Sequence, residues 1–364
     1  MSAPNQNLPR VRVLATGGTI AGAQVAGARG YQSAVLSIDA LIAAVPQLAS
    51  LARLDVEQVA AIGSQDMDDA TWLKLAAHTE AALAEPDLAG VVITHGTDTM
   101  EETAFFLNLV VHSDKPVVLV GAMRPANAIS ADGPMNLYNA VAVAAHPDTR
   151  GRGVLVAAND EIHFAREVAK TNTTQLGTFA SGQRGLAGVV NSGRLHLYAP
   201  PVRRHTAQSE FAPLRSAGVP PASSSRASEF AHGDEFGRVD SPAPAATRLP
   251  RVEIIHAHAG LGRELIDAAV KAGARGLVIA GVGDGNLAAP ALAAAADAAR
   301  AGVAVVRSSR TGGGVVERNI EIDDDRLGFV VADELNPQKA RVLLMLALTR
   351  TSDPRALQEI FFAY

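Results

Sequence analysis

The chain has no cysteine in 364 residues. That absence removes disulfides, thiolate zinc sites and a cysteine nucleophile together, and it leaves the redox compartment undecided. Aromatic residues are scarce at 4%, but 48% hydrophobic residues are ample for a core, so a disordered chain is excluded. Charge of one sign is not in excess either. With 32 basic against 37 acidic residues the net charge is −5, there is no basic stripe to neutralise phosphates, and nucleic acid is excluded as a partner. Long hydrophobic runs are missing. The strongest, at residues 117–120 and 342–348, fall far short of the roughly 20 residues that span a bilayer, so no transmembrane helix and no membrane partner is expected. Residues 1–10 are polar and lack the apolar core of a signal peptide. A cytoplasmic location is the expectation, with a periplasmic one left to a chain whose export signal lies outside this numbering.

What is present is an alternation. Short β-branched runs at residues 11–15, 56–62, 90–94, 117–120 and 154–158 read as buried strands, and alanine- and leucine-rich stretches at 37–44, 69–85, 100–111 and 135–145 read as helices. Strands alternating with helices predict βαβ units and a mostly parallel sheet flanked by helices. The pattern stops at residues 200–250, which hold eight of the 19 prolines and a Ser-Ser-Ser run at 223–225. It then resumes, with strands at 252–256, 276–280 and 303–308 and helices at 261–272, 287–300, 337–349 and 354–362. The fold class is α/β: a larger N-terminal domain over residues 8–200, an interdomain linker over 201–250, and a smaller C-terminal α/β domain over 251–364.

In open parallel sheets ligands bind outside the carboxyl ends of the strands, so the loops just after strands carry the chemistry. Thr16-Gly17-Gly18-Thr19-Ile20-Ala21-Gly22 follows the first strand. Its glycines permit a sharp turn that presents Thr19 beside free backbone N–H groups, which suits a nucleophile, a plain tight turn or an anion cradle. A P-loop is excluded, since no Gly-Lys-Ser/Thr follows. Thr97 and Asp98 leave the strand at 90–94, where packing needs neither a hydroxyl nor a carboxylate. Thr99 and Glu102 read as a capping box for the next helix. Ser64, Gln65 and Asp66 follow the strand at 56–62, as ligand-orienting groups or as ordinary turn residues. Lys170 lies among hydroxyls and amides, solvated or held against a carboxylate such as Asp98, where it would move protons to and from a threonine hydroxyl.

Seven blocks occur in one order: ATGGTIAG at 15–22, GSQDM at 63–67, ITHGTDTMEET at 93–103, GAMRP at 121–125, KTNTT at 170–174, RSSR at 307–310 and LNPQKAR at 335–341. Together they resemble the bacterial L-asparaginases and glutaminase-asparaginases, more closely the type II asparaginases, from about residue 11 to the end of the chain except the linker. The resemblance implies an amidohydrolase that converts L-asparagine to L-aspartate and ammonia through a threonine acyl-enzyme. On the matching positions, Thr19 is the primary nucleophile and Tyr31 takes its proton. Tyrosine, with an ordinary pKa near 10, is a poor base without help. Glu321 matches the acid that assists from an adjoining subunit. Thr97, Asp98 and Lys170 match the second hydroxyl–carboxylate–ammonium group. The Thr97 N–H matches the oxyanion donor. Ser64, Gln65 and Asp98 match the residues gripping the α-carboxylate and α-ammonium, Ala122 a backbone carbonyl near the substrate amide, and Asn286 a residue near the shared site. Residues between Thr19 and Tyr31 match a lid. The same likeness implies a homotetramer, and no cofactor is expected because the Thr16–Thr19 loop lacks the three-glycine dinucleotide spacing.

Two departures stand out. Asp284 occupies a position where relatives often carry asparagine, which bears on amide preference and pH dependence, and the linker is longer than the family's. Two rivals are a glutaminase-asparaginase of broad specificity and a non-catalytic amino-acid sensor; a sensor has no need of both threonines. His256 and His258 alternate on a strand, and Asp323, Asp324 and Asp325 form an acidic run, but the usual ligand spacing is missing and no metal is expected.

Overall fold

The computed structural model describes residues 7–24, 31–32, 36–211 and 248–364. In chain order the N-terminal strands are β1 (Arg10–Gly17), β2 (Ala23–Gln24), β3 (Tyr31–Gln32), β4 (Arg53–Ile62), β5 (Leu88–Thr94), β6 (Val117–Val120), β7 (Val154–Ala158), β8 (Glu161–Phe164), β9 (Ala169–Lys170), β10 (Phe179–Ala180), β11 (Gly188–Asn191) and β12 (Arg194–Leu197). Eight of them form one sheet in the order β12-β11-β8-β7-β6-β5-β1-β4. From β4 to β7 neighbours run parallel, and from β7 to β12 they run antiparallel. β1 therefore has β4 on one side and β5 on the other. The chain reverses its direction of winding there, and the crevice between β1 and β5 is the place where such sheets take ligands.

The central strands β5, β6 and β7 are buried almost throughout, which is why they read as continuous apolar runs. Helices α1 (Ile38–Ala43), α2 (Asp69–Leu83), α3 (Met100–Val110) and α4 (Gly133–Ala145) cover the sheet, with α1 and α4 on one face and α2 and α3 on the other. Trp72 of α2 stacks on Phe106 of α3 at 5.0 Å and satisfies its indole N–H on Thr103 Oγ1, as a buried tryptophan must.

A second sheet has the order β13 (Val252–His256), β14 (Gly276–Gly281), β15 (Ala304–Ser309) and β16 (Phe329–Val331), all parallel. Helices α5 (Glu264–Lys271) and α6 (Ala289–Arg300) pack on one face. The short α7 (Asp324–Leu327) precedes β16, and α8 (Pro337–Ala347) and α9 (Pro354–Ala363) join the second sheet to α2 and α3 in one continuous core. Among the described residues no helix is long and apolar enough to cross a membrane.

The segment 201–250 differs in part from a linker. His205, Thr206, Ser209 and Phe211 are buried, and a one-turn helix spans Thr206–Gln208. Apolar and hydrogen-bonding residues at 205–211 dock this stretch on the core, Phe211 against Tyr364. Residues 212–247 lie outside the described residues, as does most of the expected lid between Thr19 and Tyr31.

Candidate active site

Four adjacent parallel strands, β6, β5, β1 and β4, end at one edge of the sheet, and their loops meet there. Gly18 makes the closest approach. Its φ is +81°, and a Cβ built on it would lie 2.4 Å from the Gly96 nitrogen, so the backbone carrying Thr19 touches the backbone carrying Thr97. A Cβ on Gly96 would in turn lie 2.6 Å from Ser64 Oγ. Thr19 opens a single helical turn, Thr19–Ala21, directly after this contact. Both Thr19 and Thr97 are 6% exposed.

The loop after β4 is tied to the loop after β5 by two bonds. The Asp98 N–H donates to Ser64 Oγ at 3.1 Å, and the Thr99 hydroxyl donates to the Ser64 carbonyl at 2.8 Å. The capping box is thereby overturned: Thr99 makes no side-chain cap to α3, because its hydroxyl is spent across the site, and Glu102 faces Arg341 at 4.0 Å instead. Gln65 is exposed at the rim, bonded to Asp66.

Lys170 reaches this cluster from β9, which pairs with β10 so that Lys170 lies opposite Phe179. Its ammonium donates to Thr97 Oγ1 at 2.9 Å and to Asp98 Oδ1 at 2.6 Å. An ammonium cannot accept, so Thr97 Oγ1 is the acceptor in this bond and its hydroxyl proton is not used on Lys170. The Lys170 side chain is 15% exposed and that of Asp98 is 61% exposed, so the carboxylate faces outward from the trio.

Ala122 follows β6 and is buried. It lies near the residue after Thr19: a Cβ on Gly133 would be 3.1 Å from Ile20 Cγ1 and 3.4 Å from Ala122 Cβ. The Ala126 N–H donates to the Gly22 carbonyl and closes this side. Tyr31 is on β3, with its backbone opposite Gln24, and its side chain lies outside the described residues. Asn286 and Glu321 are brought together, Asn286 Nδ2 donating to Glu321 Oε2 at 2.5 Å, but among the described residues neither is bonded to Thr97, Asp98 or Lys170.

Asp284 spends its carboxylate inside its own domain, where Oδ1 accepts from the Glu317 N–H at 2.8 Å. The acidic run is likewise engaged: Asp323 caps α7, Asp324 pairs with Arg307, and Asp325 pairs with Arg318. No group of three or more His, Asp or Glu able to hold a metal occurs among the described residues.

Sequence reasoning missed two neighbours of the site. His95 is fully buried, its Nδ1–H donates to the Gly96 carbonyl, and burial pushes the imidazole down to about 4, so it stays neutral. Lys339 is buried behind Lys170, and no signal marked it, since it sits in the polar first turn of α8 before the apolar run at 342–348.

Comparison with known proteins bears on the whole chain. Residues 10–203 match the family model described as Asparaginase, N-terminal, and residues 251–361 match the Glutaminase/Asparaginase C-terminal domain. The chain is 47% identical to the probable periplasmic L-asparaginase of Haemophilus influenzae, over 98% of this chain and 93% of that one. It is 45% identical to L-asparaginase 2 of Bacillus subtilis, over 99% and 88%. The crystal structure of a probable cytoplasmic L-asparaginase from Campylobacter jejuni is similar with a TM-score of 0.86 and 42% identity, covering 98% of this chain and 100% of that one. With both sheets matched and relatives aligned over nearly their full length, the chain belongs to the asparaginase family.

Proposed function

We propose that the chain hydrolyses the side-chain amide of L-asparagine to L-aspartate and ammonia. The observation that carries this reading is the Lys170 ammonium bonded at once to the Thr97 hydroxyl and the Asp98 carboxylate, in the β1/β5 crevice beside Thr19. Thr19 Oγ attacks the amide carbon, its proton passes through Tyr31 to the leaving nitrogen, and the C–N bond breaks to release ammonia and leave an ester on Thr19. Water then attacks the ester, its proton passing to Thr97 Oγ1, which the Lys170 ammonium holds in place, while the Thr97 hydroxyl proton goes to Thr19 Oγ as the ester C–O bond breaks and aspartate departs. The Thr97 N–H stabilises the oxyanion of both steps, a contribution of about 3–4 kcal/mol where such donors have been removed. Ser64, Gln65 and the outward-facing Asp98 carboxylate hold the amino-acid head of the substrate, and the Ala122 carbonyl receives its amide.

The proposal includes the domains 8–200 and 251–364, and a homotetramer in which Asn286 and Glu321 of one subunit complete a neighbour's site. Their mutual bond on an exposed part of the C-terminal domain supports that placement. A cytoplasmic location is part of the same reading, and fractionation checks it.

The test is ammonia release from L-asparagine and from L-glutamine by wild type, Thr19→Ala, Thr97→Val and Lys170→Met. The expected result is asparagine turnover in the wild type, a loss of at least about 100-fold in each variant, and retained folding by circular dichroism. Equal rates with both amides replace this reading by a glutaminase-asparaginase. No release from either amide overturns hydrolysis, and an active Thr19→Ala overturns the nucleophile.

A further inference from the structure

The arm that delivers Lys170 is held from behind by the C-terminal domain. Lys339, only 2% exposed, lies in the first turn of α8. Its Nζ donates to the Arg166 carbonyl at 2.9 Å and to the Val168 carbonyl, four and two residues before Lys170. The same ammonium lies 3.8 Å from the carboxylate of Glu101, in the first turn of α3, three residues after Asp98. Asn336 reinforces the junction: its Oδ1 caps α8 on the Lys339 N–H, and its Nδ2 donates to Glu101 Oε2 at 2.8 Å. One buried cation thus joins the two pieces of chain whose ends carry the Lys170–Thr97–Asp98 trio.

Stability alone gives little reason for that charge. Burying an ammonium costs several kcal/mol, and an apolar side chain in its place is often neutral or better when its partners change with it. Glu101 and Glu102 face Lys339 from α3, and Arg166 and Glu167 face it from the arm. His163 of β8 feels its charge, and Arg184 and Glu334 line the same small cavity. Burial lowers the group from 10.5 to about 8, with Glu101 and Glu167 opposing the fall. The folded value is below the unfolded one, so the charge is a burden at neutral pH, one that shrinks as pH rises from about 8 to 10.5. Folding therefore favours the neutral amine, while the junction with Glu101 needs the ammonium.

Building on the amide-hydrolysis reading, we propose that Lys339 is a positioning residue for that reaction, setting Lys170 against Thr97 and Asp98 by holding the arm and α3 together. A displacement of about 1 Å between reacting groups is enough to cost about 100-fold in rate.

The experiment measures kcat and KM for L-asparagine from about pH 6 to 10 in wild type, Lys339→Met and Glu101→Gln, with Thr19→Ala as blank. Folded Lys339→Met should lose about tenfold or more in kcat with KM within about threefold. Glu101→Gln keeps an acceptor for Asn336 and removes the charge facing Lys339. Its kcat at pH 7 should fall by less than that of Lys339→Met, since Asn336 still ties α8 to α3, and the alkaline limb should move down by about half a unit or more. Wild-type kcat in folded Lys339→Met overturns the assignment. So does an unmoved alkaline limb in Glu101→Gln, which decides the matter alone where Lys339→Met does not fold. A wild type inactive toward asparagine overturns the hydrolysis reading and this inference together, whereas an active wild type with unaffected variants overturns the inference alone.

Discussion

Arg307 and Asp324 meet as a two-pronged pair, with Nε to Oδ1 at 2.7 Å and Nη2 to Oδ2 at 2.8 Å, and neither side chain is more than 1% exposed. The same guanidinium donates to the carbonyls of Asp284 and Glu317, and the Asn319 N–H donates to Asp324. The loop holding Asn286 and the loop holding Glu321 therefore hang from one side chain.

Replacing Arg307 by lysine should be costly, since an ammonium cannot reproduce the fork and leaves the buried carboxylate partly unpaired. The expected loss is about 3–5 kcal/mol, read from the shift of the urea midpoint. A companion Asp284→Asn retains an acceptor for the Glu317 N–H and should change stability by less than about 0.5 kcal/mol. A stable Arg307→Lys would show that the two loops do not depend on this pair.

Gly18 makes a sharper prediction, because two separate penalties fall on one methyl group. Its φ of +81° disfavours any L side chain, and the added Cβ would strike the Gly96 backbone, which cannot rotate away as a side chain can. Gly18→Ala should push Thr19 and Thr97 apart and lower kcat by about 100-fold, at a stability cost of about 1–3 kcal/mol. A variant with wild-type kcat would mean that the Gly18–Gly96 contact does not set the site.

Strands buried on both sides were legible in the sequence, and so was the edge strand β4, though residues 56–62 read as buried and only Val59 of it is. Strands β5, β6 and β7 read correctly because a strand covered on both faces needs apolar residues throughout. The antiparallel extension β8, β11 and β12 did not, because four-residue strands with mixed burial leave no run long enough to read. In the site, the residue types after each strand were visible, but the grip of Lys170 on Asp98 spans 72 positions and no local pattern encodes it. Thr99 shows the reverse error: a good local capping pattern lost to a tertiary bond, its hydroxyl going to the Ser64 carbonyl.

Acid should weaken the fold before the carboxylates titrate. Burial lowers His95 and His163 from 6.5 to about 4, with the Lys339 charge adding to the effect on His163. Both Nε2 atoms are buried without a hydrogen bond; a proton added to His95 finds no acceptor, whereas one added to His163 has the Glu161 carboxylate 3.5 Å away. The folded values lie below the unfolded ones, so between about pH 6.5 and 4 the unfolded chain holds protons that the folded chain lacks. This contribution to stability is intact above 6.5 and is lost as pH falls. Each histidine should remove about 2 kcal/mol by pH 5. Urea unfolding at pH 7 and 5 measures the sum, and His95→Gln should cut the difference by about half. A stability that is flat across that interval would refute the assignment.

Where the interdomain segment is cut should matter more than how much is removed. Residues 212–247 are rich in proline, serine and alanine, whereas the stretch before them is anchored: Ser209 Oγ donates to the Leu109 carbonyl, and Phe211 lies 5.1 Å from the Tyr364 ring. Loop-closure entropy rises only as (3/2)RT ln n, so replacing 212–247 by about 12 glycine and serine residues should gain about 1 kcal/mol at most. Asparagine kcat and KM should stay within about twofold of wild type. A deletion of the same length that begins at His205 removes buried groups and should yield insoluble protein. Loss of soluble enzyme from the 212–247 replacement would show that this segment contributes to the fold, and solubility of the deletion from His205 would show that the Ser209 and Phe211 contacts do not.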